Sequence, residues 1–134
     1  RCLTLMGADI ILYPTAIGSG LGGGGDMLTG NDSVDAWRNA MCGHAACNIL
    51  PVVASNRIGW EYMTESPEVH LEFYGNSFIA DHEGQVVAQA GRDQEEVLIH
   101  RVDFDQVKEY RDSWAVFRDR RPDLYGTLAT LDGR

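Results

Sequence analysis

Two short apolar runs bracket a helix, and that order fixes the centre of the fold. Residues 8–13 are apolar and partly β-branched with Pro14 behind them, and residues 51–55 read PVVAS. Both have the length and content of buried strands. Between them, Asn31, Asp32 and Ser33 are residue types that cap helix N-termini. The helix they open runs to about Cys47. At roughly 100° per residue, Val34, Trp37, Met41 and Ala45 form one stripe, and Ala36, Ala40, Gly43 and Cys47 form a second nearly opposite. A surface helix needs one apolar stripe. Two predict burial on both sides, between its own sheet and another layer such as a second subunit. Strand, helix and strand in this order make a βαβ unit, with parallel strands and a right-handed crossover.

The flanking segments extend this unit on both sides. Residues 1–6 read as the end of a helix with Leu3 and Met6 on one side, and Gly7 supplies a left-handed cap. Residues 18–33 carry seven of the fifteen glycines, and a loop of that length in a compact domain is usually functional or disordered. Residues 71–80, 85–90 and 96–102 are strand-like, with turn signals at 81–84 and 91–93, which predicts an antiparallel meander. Asp103 with Gln106 resembles a capping box opening a helix through about Tyr110. In the aromatic, arginine-rich tail, Pro122 breaks any helix. No internal repeat or linker interrupts the 134 residues, so the chain reads as one α/β domain.

Charge and apolar content narrow the partners. Eleven basic and twenty acidic residues give a net charge of −9, a field that repels phosphates and argues against nucleic acid. No apolar run approaches the roughly 18–20 residues of a membrane span. Three cysteines, Cys2, Cys42 and Cys47, form no even disulfide framework. That usage points to a reducing compartment, and a cytoplasmic location is expected.

Four clusters invite a chemical reading. The run 22–25 is all glycine, but no Lys-Ser or Lys-Thr follows and Asp26 does, so it fails as a phosphate loop and reads as a flexible one. Cys42, His44 and Cys47 share a helix, but Cys42 lies about 200° from His44 and about 140° from Cys47. The three cannot converge on a metal, and inert, buried thiols are expected. Arg118, Arg120 and Arg121 are interleaved with Asp119 and Asp123, which predicts ion pairs pinning the tail rather than a phosphate site. The fourth cluster is formed by strand ends. In open α/β sheets ligands gather beyond the carboxyl ends of parallel strands. Thr15 and Ala16 occupy that position after the first strand, as do Ser55, Asn56 and Arg57 after the second. Two adjacent strands thus bring a hydroxyl, an amide and a guanidinium to one rim. Turns and helix caps use the same residue types, and position alone leaves both readings open.

At these residues the chain resembles the nitrilase, or carbon–nitrogen hydrolase, superfamily. The matching segments are MGADIILYPTAIG (6–18), DAWRNAMCGHAACNILPVVASNRIG (35–59), EFYGNSFIADHEGQVVA (72–88) and SWAVFRDRRPDLYGTL (113–128). The last is the most specific for a branch of amidases. The resemblance implies the C-terminal part of an α-β-β-α sandwich, present here as a partial domain spanning 1–134. It implies a homo-oligomer joined through helices beside the sheet, and an amidase that uses a Glu–Lys–Cys triad without cofactor or metal. The expected substrate is a small-molecule amide, a linear carbamoyl amine such as N-carbamoylputrescine. A ureido acid, or a non-catalytic assembly module of the same fold, are the alternatives. By the same resemblance Tyr13, Pro14, Thr15, Ala16 and Asn56 contribute to the substrate pocket. The nucleophile matches a position about ten residues before Arg1, and the Glu and Lys lie further upstream. No catalytic residue is therefore expected within 1–134, and the chain alone is expected to be inactive.

Overall fold

In the computed structural model, which describes residues 1–19, 33–63 and 66–134, the strand–helix–strand unit is present as expected. β1 (Ile11–Pro14) pairs in parallel with β3 (Val52–Ser55), Ile11 opposite Val52 and Pro14 opposite Ser55. The intervening α2 (Val34–Asn48) covers one face of the pair. Before β1, the short α1 (Cys2–Leu5) ends at Gly7, whose φ of +98° is the left-handed cap the sequence predicts. Leu3 and Met6 are exposed, and Thr4 is the buried residue of that turn.

Two sheets result. The first has strand order β1-β3-β6-β7, with β6 (Phe78–Ala80) and β7 (Val86–Gln89) added antiparallel. The second has order β2-β5-β4 and is wholly antiparallel, built from β2 (Gly18–Ser19), β4 (Ile58–Met63) and β5 (Ser66–Tyr74). The predicted single strand over 71–80 is therefore two strands in two sheets. Gly75 and Asn76 both take positive φ, +54° and +55°, and that turn carries the chain from one sheet to the other. Residues 96–102 form no ladder, and Val97 and Ile99 stand exposed; strand-forming residues need a neighbouring strand to pair with, and this segment has none among the described residues. The hairpin strand β4 was not anticipated. The turn at 81–84 is as expected, closed by Asp81, whose Oδ1 accepts from the amides of Glu83 and Gln85, both at 2.9 Å.

The core lies between α2 and the first sheet. Trp37 meets Phe78 edge-on with centroids 5.3 Å apart and Tyr74 at 5.9 Å. Tyr74 is the last residue of β5, so this aromatic trio ties the second sheet to the first. Ile11, Ala45, Leu50, Val52, Ala54 and Ala80 complete the cluster. Of the two stripes of α2, the first faces the core, with Trp37 and Ala45 buried and Val34 and Met41 half-buried, while Ala36, Ala40, Gly43 and Cys47 of the second are exposed in this single chain. β1 is likewise buried on one face only, with Ile11 inside and Leu12 64% exposed.

α3 (Phe104–Trp114) opens at Asp103, whose Oδ1 accepts from the amides of Asp105 and Gln106 at 3.0 and 3.1 Å. It runs one turn past the predicted end and stops at Ala115 in the left-handed region. Arg111 on this helix donates from Nε and Nη2 to the carbonyl of Ile49, at 3.2 and 2.8 Å. Ile49 closes α2 with φ of +50°, a costly conformation for a β-branched residue. Burial of its side chain and the bidentate guanidinium on its carbonyl hold it there. Beyond α3 the tail forms two short 3-10 turns, Pro122–Leu124 and Gly126–Ala129. No helix among the described residues is long and apolar enough to cross a membrane.

Candidate functional site

The rim predicted at the carboxyl ends of β1 and β3 exists as one structural unit. Thr15 extends the parallel pairing one residue past β1: its amide donates to the Ser55 carbonyl at 2.8 Å, and its Oγ1 donates to the same oxygen at 2.6 Å. With its proton so committed, the hydroxyl has only acceptor lone pairs left to offer. Asn56 is half-buried between three segments. Its Oδ1 accepts from the amide of Ile17 at 2.9 Å, and its Nδ2 donates to the carbonyls of Ile17 and Gly75, each at 2.9 Å. Arg57 donates from Nη1 to Glu61 at 2.7 Å, and its guanidinium carbon stands 4.2 Å above the centre of the Phe73 ring.

Between the two strand ends lies an open depression of about 400 Å³ lined by Pro14, Thr15, Ala16, Ser55, Asn56 and Arg57. Four of the five residues expected at the pocket thus come together. Tyr13 does not line the depression; it is half-buried against the α2 core and supports the strand end from below. A second cavity of about 660 Å³ shares Asn56 and Arg57 and is closed by Gly75, Ser77 and the 90–97 segment.

Gly75 and Ser77 are the rim residues that sequence reading missed. The signal was the Gly-Asn pair inside the 71–80 run, a turn dipeptide read as strand interior. At Gly75 a Cβ would stand 2.5 Å from the carbonyl oxygen of Arg92 and 2.7 Å from that of Gly91, and φ is positive as well. Gly75→Ala is therefore expected to destabilise the protein by more than about 1 kcal/mol, because both strain and collision act together. Thermal melting of the variant beside Gly43→Ala, whose added Cβ meets nothing within 4 Å, measures this.

The remaining candidates separate. The run 22–25, with Asn31 and Asp32, lies outside the described residues. Cys42 is half-buried, and burial pushes its thiol up, against the lowering pull of Arg38. Cys2 and Cys47 are exposed, which corrects the expectation of buried thiols. Among the described residues no three His, Cys, Asp or Glu side chains are grouped to hold a metal. Two of the three tail arginines form the predicted ion pairs, Arg118 with Asp119 at 2.7 Å and Arg121 with Asp123 at 2.6 Å, whereas Arg120 donates from Nε to the carbonyl of Phe117 at 2.9 Å. The direct bonds to Arg118 and Arg121 hold both carboxyls below the usual range. These pairs are one and two residues apart, so they shape the tail locally and do not pin it. Attachment comes from Phe117, which sits under the guanidinium groups of Arg1 at 4.5 Å and Arg111 at 5.7 Å.

The carbon–nitrogen hydrolase family matches residues 1–112. N-carbamoylputrescine amidase from Arabidopsis thaliana is 51% identical over 134 residues, 99% of this chain and 43% of that protein. Citrullinase from Francisella tularensis is 46% identical over 129 residues, 96% of this chain and 42% of that protein. The crystal structure of a carbon–nitrogen hydrolase from Helicobacter pylori G27 superposes with a TM-score of 0.84 at 33% identity, covering 95% of this chain and 43% of that one. The chain thus spans less than half the length of the relatives it matches.

Proposed function

Because the chain belongs to the carbon–nitrogen hydrolase family, we propose that it forms one wall of the substrate pocket of an amidase acting on a linear carbamoyl amine, with N-carbamoylputrescine as substrate. The observation that carries this reading is the 51% identity to a plant N-carbamoylputrescine amidase along the whole chain, with the open rim at the β1 and β3 ends as its physical counterpart. The reaction adds one water to R–NH–CO–NH2 and yields R–NH2, carbon dioxide and ammonia. In the mechanism that the family resemblance implies, a cysteine thiolate supplied from outside these residues attacks the carbamoyl carbon, and a lysine with backbone amides stabilises the oxyanion.

The residues of this chain would bind and orient. A carbamoyl group is rich in N–H donors, and the remaining lone pairs of Thr15 Oγ1 suit it as an acceptor. Pro14 and Ala16 give the rim short, stiff walls, and Tyr13 fixes the strand end from the core side. Asn56 acts on the pocket through the backbone it holds. Arg57 is neutralised by Glu61, so the rim need not repel the ammonium end of a carbamoylated diamine. The exposed stripe of Ala36, Ala40, Gly43 and Cys47 supports the further expectation of a homo-oligomer.

A second reading, a ureido acid as substrate, is supported by the 46% identity to a citrullinase; a substrate carboxylate would then have to displace Glu61 from Arg57. Steady-state kinetics of the complete gene product on N-carbamoylputrescine and on citrulline separate the two. The proposal expects kcat/KM at least about tenfold higher for the carbamoyl diamine, or roughly 1.4 kcal/mol of transition-state preference. Preference for citrulline would transfer the assignment to the second reading.

A further inference from the structure

From the hydrogen bonds at the rim we infer that Ser77 and Asn56 form a three-segment lock, and that Ser77 is a positioning residue for the pocket. This rests on the pocket reading above. Ser77 Oγ accepts from the Asn56 amide at 2.9 Å and donates back to the Asn56 carbonyl at 3.4 Å. A single hydroxyl thus grips both backbone groups of one residue. The Asn56 side chain then reaches the other way, to Ile17 and Gly75. The backbone of Ser77 is fixed in turn, because its carbonyl accepts from Ala90 at 2.8 Å. Gly75 donates to the carbonyl of Arg57 at 3.0 Å and closes the ring of contacts.

The segments so joined are far apart in sequence: the end of β1 at 15–17, the end of β3 at 55–57 and the inter-sheet turn at 75–77. Ladders flank all three: Ala54 faces Phe78 between β3 and β6, and Gly18 and Ile58 face Phe73 and Tyr74 of β5 in the second sheet. In the crossing between the two sheets, past the last β1–β3 pair, the side chains of Asn56 and Ser77 add to the Gly75–Arg57 backbone bond and tie the three segments to one another. A side-chain amide with both nitrogen protons and its oxygen engaged is fixed in orientation as well as position. Removing Ser77 Oγ frees the Asn56 peptide, and the freed Asn56 loosens Ile17 and with it Thr15, which lines the depression. The effect reaches the pocket without Ser77 touching any ligand there.

The test compares wild type, Ser77→Ala and Ser77→Thr in the complete gene product, by hydrogen exchange of the peptides spanning 13–19 and 49–54 and by kinetics on N-carbamoylputrescine. Ser77→Ala should speed exchange in 13–19 at least tenfold while leaving the core peptide 49–54 unchanged. It should lower kcat/KM by a similar factor, and Ser77→Thr, which keeps the hydroxyl, should recover most of both. Equal acceleration of both peptides would mean global destabilisation and would overturn the lock. Unchanged exchange in 13–19 would overturn it too, whatever the kinetics. Absence of turnover by wild type would instead refute the assigned reaction, while the exchange data would still decide the lock.

Discussion

The 134-residue chain, purified by itself, is expected to release no ammonia from N-carbamoylputrescine above a buffer blank. Attack on a carbamoyl carbon needs a thiolate at neutral pH and a fixed cation for the developing oxyanion. Lys108 is the only lysine of the chain. It stands 75% exposed on α3, held by Asp112 at 2.9 Å, and that bond raises its pKa and keeps it a surface cation. None of the cysteines is prepared for attack either. The Cys42 thiol is pushed up by burial, the wrong direction for a nucleophile. Cys2 and Cys47 are on exposed helix surfaces. Turnover that disappears in Cys42→Ser or Cys47→Ser would contradict this and place the chemistry on α2.

Trp37→Ala is expected to cost about 3–5 kcal/mol, the range for deleting a buried aromatic, out of a total stability of roughly 5–15 kcal/mol for a domain. Trp37 is 8% exposed and is the hub between Phe78 on one sheet and Tyr74 on the other. Its loss would open a cavity and uncouple the two sheets. Trp37→Phe should cost much less. The indole Nε1 is buried without a hydrogen-bond partner among the described residues, and the smaller ring removes that unsatisfied donor while keeping an aromatic contact. Chemical denaturation of the complete gene product reads both. A Phe variant as damaged as the Ala variant would show that the indole nitrogen has a partner and that the packing account is incomplete.

The parallel βαβ unit was legible because its strands are short apolar runs and its helix has a clear core stripe of large residues. The second stripe of α2 carries less information. Ala36, Ala40 and Gly43 are small, and alanine favours helix wherever it stands, so the stripe does not identify the layer that would cover it. β4 escaped notice because its sheet is solvated. Trp60 and Tyr62 stack around His70 at 4.8 and 5.5 Å while remaining exposed, and no buried alternation announces the strand. At the rim, strand-end position identified Thr15 and Asn56 correctly as neighbours. It could not reveal that the Asn56 amide is spent on backbone, since Ile17 is 39 residues away. Ser77 was hidden for the same reason: its partner is 21 residues distant and lies on another strand end.

The central claim, that the β1 and β3 ends form a substrate wall, is tested most directly by a crystal structure of the complete gene product with its nucleophile replaced by alanine and N-carbamoylputrescine bound. The account predicts the carbamoyl group within contact distance, about 4 Å, of Thr15 and Ala16, with a carbamoyl N–H directed at Thr15 Oγ1 and the Asn56 side chain still bonded to Ile17 and Gly75. Substrate bound away from residues 14–16 and 55–57, for example along the exposed face of α2, would contradict it.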